Sequence, residues 1–314
     1  MNKFQKEMYD HLKTQFNTGK EVWASSMEKI FYPNCSSDII SFQQKRGFEF
    51  HKMVKKPHIA SSQAACFNLF MPIMKSDFAV DILKSVKPDI ASIDYSHLEY
   101  GFAFEYWRDE PNNDGNKGLL GDHSVNVGTD ADFALSYIDK DGNHCLWLVE
   151  HKLTETEFTQ CNVLHNGKHP KEAEKCRNLS AELLLDNPDL CYYTHKKHYK
   201  YWELTQKYIS IFPGLLRITK KGCPFADGMC QLWRNVLLAK AAQEKYGYDK
   251  VYFSIVKPKD NKTLDNSIND FKKIIDENIF SVFHPTQLID AAKSIKDGNI
   301  QRWVDWYSRT YFLG

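Results

Sequence analysis

The chain has 314 residues, enough for one large domain or two modest ones, and its 42% hydrophobic and 26% charged content excludes wholesale disorder. A formal net charge of +1 neither requires nor excludes a nucleic-acid partner, because a neutral total can hide a basic groove. No apolar run is long enough for a membrane span and no signal-peptide core opens the chain, so a cytoplasmic protein is expected, its eight cysteines being thiols rather than a disulfide framework.

Residues 2–16 read as an amphipathic helix. The basic stretch "HKMVKKPH" (51–58) precedes "SSQAACFNLFMPI" (61–73), where a Ser cap followed by small and apolar residues on nearly every side predicts a buried helix stopping near Pro72. Strands are predicted over the aromatic-rich 98–107 and the period-2 stretch 131–138. The turn signal "DKDG" (139–142) joins the latter to a third strand over 144–153, forming a hairpin. Helical patterns follow at 170–186, 228–246 and 263–278, with a compact strand "KVYFSIV" at 250–256. Helix, three strands, helix, strand, helix is an α/β layered plan. With no repeat and no low-complexity linker, a single domain over 1–314 is expected.

The segment "CLWLVEHKL" carries the chemistry. A strand apolar on both faces ends in Glu150 and Lys152, which alternation places on one face while His151 points the other way. Charges at the end of a core strand are rare unless paired or functional. Across the hairpin, "GTDADFALSY" supplies Asp130 and Asp132 on one face, so at least one aspartate falls within a few ångströms of Glu150. Two carboxylates beside one lysine suit a hard divalent ion such as Mg2+. The lysine can meet the charge that builds on a phosphate or help deprotonate a metal-bound water.

Asp132, a hairpin upstream of Glu150-His151-Lys152, resembles the PD-(D/E)XK nuclease superfamily, the restriction-endonuclease-like group. More closely, "SSQAACFNLFMPI", "FAFEY", "GTDADFALSY" with "LWLVEHKLTE", and "CPFADGMCQLWRNVLLA" resemble, in that order, a bacterial branch of it over roughly residues 45–257. The resemblance implies a restriction-endonuclease-like α/β core (helix, antiparallel three-strand meander, helix, strand) with added helices, and Mg2+-dependent hydrolysis of phosphodiesters, with Mn2+ as a substitute. It makes Asp132 and Glu150 metal ligands and adds the backbone carbonyl of His151. Lys152 becomes the residue that orients water and stabilises charge. The superfamily's proline before the aspartate is replaced by Ala131, so the choice between Asp130 and Asp132 rests on Asp130 lying nearer the loop beside Gly128. Supporting roles are expected for Glu105 as a third acid, for Gln63 on the first core helix, and for Gln231 and Arg234, one turn apart and facing phosphate.

Lys196 and Lys197 in "YYTHKKHYKYW" (192–202), with Lys55 and Lys56 in the earlier basic stretch, are expected to contact a nucleic-acid backbone, most naturally DNA. Some superfamily relatives carry an iron–sulfur cluster. Here the spacing of Cys161, Cys176, Cys191 and Cys223 lacks a tight knuckle, and buried free thiols are expected in place of an iron–sulfur or zinc site. No membrane partner is expected, and a homodimer is in keeping with such a fold. One rival is a nuclease fold that binds or senses nucleic acid without cutting it. Another is a hydrolase using its carboxylates for acid–base work, which a lysine beside Glu150 disfavours by depressing the carboxyl pKa.

Overall fold

The computed structural model describes residues 1–50, 57–110, 117–124, 128–219 and 221–313. The first helix, α1 (Lys3–Gln15), is closed by an Asn2 capping box, and α2 (Ser36–Arg46) ends at a left-handed Gly47. Next comes α3 (Ser62–Met74), buried from Gln63 to Ile73 and capped by Ser61, whose side chain accepts from Ala64 N at 3.2 Å. It runs two residues past Pro72 because the carbonyl that the proline leaves without a helical donor, Asn68 O, accepts from Trp303 Nε1 at 2.9 Å.

After the short α4 (Ala79–Leu83) come β1 (Ile90–Ile93), β2 (Phe102–Tyr106), β3 (Ala131–Asp139) and β4 (His144–His151). The expected turn between β3 and β4 is present: Gly142 takes φ +85°, and Asp139 Oδ1 accepts from the Asp141 and Asn143 amides. β2, β3 and β4 form an antiparallel meander, and β1 shares the outer edge of β3 with β2. A long helical passage follows: α5 (Asn162–His165), α6 (Pro170–Asn178), α7 (Ala181–Asp186), α8 (Tyr192–Lys197) and α9 (Tyr201–Lys207). Then come α10 (Cys230–Tyr246), β5 (Lys250–Val256), α11 (Asp265–Lys272), β6 (Phe280–Phe283), α12 (Pro285–Lys293) and α13 (Gly298–Tyr311). β5 pairs parallel to β4, and β6 parallel to β5.

The sheet divides two cores. On one face Trp147 and Val149 of β4 pack with α3 and α13, and Phe70 stacks on Phe133 at 4.1 Å. On the other, Leu146 and Leu148 pack with Trp233 and Leu237 of α10. Burial on both faces is why β4 reads as an unbroken apolar run. No described helix is long and apolar enough to cross a membrane.

Two of the expected helices need correction. The helix expected over 170–186 is two, because Leu179 is extended and Ser180 starts a new helix by capping Leu183 N. The helix expected over 263–278 is regular only in α11. The basic stretch 192–202 is helical, in α8 and the start of α9. The aromatic C-terminus packs into its own chain's core through Trp303, Val304, Tyr307 and Tyr311.

Candidate active site

The strand register builds the site. Phe104 pairs with Phe133, and Phe133 with Val149. One step along, Glu105, Asp132 and Glu150 fall in one row across β2, β3 and β4. Glu150 and Lys152 are only 4% and 7% exposed, and Lys152 Nζ lies 2.9 Å from Glu150 Oε1. His151, fully buried, projects to the opposite face of β4, as alternation requires, and its backbone N–H donates to Asp132 Oδ2 at 2.6 Å. Burial pushes the His151 ring down to about 4.

Glu105 departs from the pleat. It has φ +48°, the β2–β3 pairing skips it, and its carboxylate is hydrogen-bonded by Gln63 of α3. The left-handed backbone re-aims a side chain that alternation would place beside Ala103.

Helix α10 supplies the next shell. Gln231 Nε2 donates to Glu150 Oε1 at 2.7 Å, and Asn235 Nδ2 donates to Oε2 at 2.9 Å. The sequence reading paired Gln231 with Arg234; the residue that joins Gln231 on Glu150 is Asn235, and the i,i+4 spacing was the available signal. Arg234 is hydrogen-bonded to Tyr201, near Asp130 and the buried Asp122. Glu155, also not singled out in the sequence, accepts from Leu153 N at 2.7 Å and stands beside Lys152.

Burial, then the Glu150 charge, push Asp130 up to about 7 against the pull of Arg234. The same two causes hold Asp132 well above the carboxylate range despite Lys152, and burial followed by Asp130 and Asp132 does so for Glu105. Burial works against the charge on Lys152, but Glu150, Glu155 and Asp132 overcome it and raise the ammonium above ordinary lysine. Glu150, Glu155 and Asp132 thus crowd one firmly protonated lysine, with Asp130 and Glu105 beside them, a donor set with excess negative charge that fits a divalent cation.

Among the described residues, only Asp94, His97 and His144 bring three ligand atoms within 4.8 Å of one another, at the far end of β4 from Glu150. There His144 Nδ1 lies 2.7 Å from Asp94 Oδ2. No three carboxylates of the Glu150 site are that close, which suits a Mg2+ ion held by one or two of them while it keeps several waters. Lys196 and Lys197 are exposed on α8, and Lys55 and Lys56 lie outside the described residues. Cys161, Cys176, Cys191 and Cys223 come together around one cavity, an arrangement their spacing did not announce.

These shifts set a pH dependence for the metal-free protein. Between the unfolded carboxylate pKa of about 4 and the raised folded values, the native state holds more protons than the unfolded one, so stability falls as pH rises. His151, lowered on folding, works in the opposite direction between about 4 and 6.5, so above pH 6.5 it no longer offsets the carboxylates. In chelator, the melting temperature should fall from pH 6.5 to 8.5 by roughly 2–4 °C more in the wild type than in Asp132→Asn. Equal slopes in a thermal melt would contradict the crowded-carboxylate picture.

The sequence model of a family described as "Restriction Endonuclease associating with ARP" matches residues 3–312, and the chain belongs to that family. No curated protein and no solved structure matches it.

Proposed function

From membership of this restriction-endonuclease family, we propose that the chain is a Mg2+-dependent nuclease of PD-(D/E)XK type, hydrolysing phosphodiesters in DNA within a bacterial defence or DNA-processing system. The observation that carries the reading is the row Glu105, Asp132 and Glu150, with the buried Lys152 on Glu150. Asp132 and Glu150 would hold the cation, with the His151 carbonyl as a further ligand; Mn2+ would substitute. When bound, a divalent ion polarises the scissile phosphate and lowers the pKa of its water.

The chain's own residues do the rest. Gln231 and Asn235 fix both oxygens of Glu150, so the ligand does not reorient during turnover. Lys152 serves as a cation meeting charge that develops on the phosphate, since the acids around it oppose its use as a base. Glu105 and Gln63 buttress the row from the α3 side. Arg234 would face phosphate from α10, and Lys196, Lys197, Lys55 and Lys56 would track the nucleic-acid backbone.

A plasmid-nicking assay tests this directly. Cleavage with Mg2+ that chelator abolishes is expected, and no chelator-sensitive cleavage of DNA or RNA would remove the proposal. The family's description names an association with ARP, which favours a second reading in which the chain binds nucleic acid as a subunit of an assembly. Binding without cleavage across several divalent ions would select that reading.

A further inference from the structure

The end of β4 opposite Glu150 holds a group of side chains that the proposed nuclease chemistry does not use. Asp94 follows β1, His97 lies three residues on, and His144 opens β4. One ligand atom from each falls within 4.8 Å of the other two, which among the described residues holds for no other acids, histidines or cysteines. Asp94 is only 5% exposed and is fixed in place, since its Oδ1 accepts from Ser96 N at 2.9 Å and from Ser96 Oγ at 2.6 Å. Its Oδ2 lies 2.7 Å from His144 Nδ1 and accepts from Ser136 Oγ at 3.3 Å.

A hydrogen-bonded Asp–His pair accounts for two of the three residues and leaves His97 unexplained. The His97 ring is half-buried and stacks on Tyr248 at 4.0 Å. Among the described residues it has no hydrogen-bond partner, and Asp109 Oδ2 stands 3.9 Å from its Nδ1, too far for one. The carboxylates of Asp94 and Asp249 act on both rings, so the two imidazoles lie in a negative field. An imidazole held by packing beside a fixed carboxylate and a second imidazole is a preorganised ligand set.

We propose that Asp94, His97 and His144 bind one Zn2+-class divalent cation through one oxygen and two nitrogens. Two imidazoles and a carboxylate suit Zn2+, Ni2+ and Co2+, whereas Mg2+ favours oxygen donors. Zinc bonds of about 2.0–2.1 Å in tetrahedral geometry set ligands roughly 3.3 Å apart, so the ion takes the place of the proton between Asp94 and His144. The His144 side chain is 44% exposed and has the freedom to draw back by that amount. Water completes the coordination. The ion would tie the connection after β1 to the first residue of β4, whose backbone N–H donates to Asp249 Oδ2 at 2.8 Å just before β5. It would thus staple the sheet at the end remote from the acidic row. Glu150 is six residues along β4 from His144, roughly 20 Å away, so one ion cannot serve both places.

The test uses the full chain in excess Mg2+, which occupies all-oxygen donor sets, and follows Co2+ by its visible absorption. No nuclease activity is read, so the outcome is separate from that of the nuclease proposal. One Co2+ per chain is expected, with the d–d bands of nitrogen and oxygen ligands, no thiolate charge-transfer band, and displacement by Zn2+. His97→Gln and His144→Gln should each weaken binding at least roughly tenfold. His165→Gln, at an exposed histidine paired with Asp227, should leave it unchanged. Zn2+ at a hundredfold excess over its dissociation constant should raise the wild-type melting temperature by roughly 3–6 °C, a reading that stands even if a variant fails to fold. No bound Co2+, a thiolate-dominated spectrum, wild-type affinity in both histidine variants, or no thermal shift with Zn2+ would each overturn the proposal.

Discussion

Replacing Lys152 by alanine should slow cleavage at least roughly a hundredfold while leaving affinity for nucleic acid and Mg2+ nearly intact. The side chain lies 2.9 Å from Glu150, within the field of Asp132 and Glu155, and is held as an ammonium. A preorganised cation in a buried site acts most strongly on charge that appears only in the transition state, so its removal lowers turnover and spares binding. Lys152→Arg should rescue poorly, since a planar guanidinium does not fit where a compact ammonium sits among carboxylates. Exposed Lys196 and Lys197 on α8 provide the contrast: their replacement should weaken binding in a salt-dependent way and leave the chemical step unchanged. Single-turnover kinetics beside a binding titration separate the two effects. A Lys152→Ala protein cutting at the wild-type rate would strip the proposed mechanism of its centre.

The two proposed ligands should behave alike toward metal and oppositely toward stability. Asp132→Asn and Glu150→Gln should each weaken Mg2+ or Mn2+ binding by roughly tenfold or more in calorimetry. Without metal at pH 8, Asp132→Asn should melt higher than the wild type, because it removes one of the charges that Glu150 repels and leaves the His151 amide an acceptor. Glu150→Gln should melt lower. Its carboxylate accepts from Gln231 on one oxygen and Asn235 on the other, and an amide sets a donor against one of them while surrendering the Lys152 pair. A buried polar group left without its partner costs about 1–3 kcal/mol. Unchanged metal affinity in Asp132→Asn would move the ligand role to Asp130.

What could be read from the sequence was what depends on local pattern. The β3–β4 hairpin, the capped and buried α3, and the sharing of a face by Glu150 and Lys152 all follow from alternation, turn residues and one serine. β1 and β6 escaped because four residues give too little period, and the two central residues of β1 are exposed. Leu179 breaks the helical pattern over 170–186 by backbone conformation alone, which composition does not encode. Asn235 and Glu155 were hidden for a different reason: each reaches the site through tertiary packing, one from α10 and one by folding back beside Lys152. The cysteines are the extreme case, since widely spaced residues come to line one cavity only when the helical passage closes.

The left-handed backbone at Glu105 bears on how this protein can change over generations. A non-glycine residue held there costs about 1–2 kcal/mol relative to an ordinary strand conformation, and it adds a buried carboxylate to an already repulsive row. A drift to glycine at this one position relieves both, so the folded state gains what the row loses. Screens that reward solubility or heat tolerance alone should therefore enrich for variants that have lost Glu105, whatever the row proposed for metal binding loses with it.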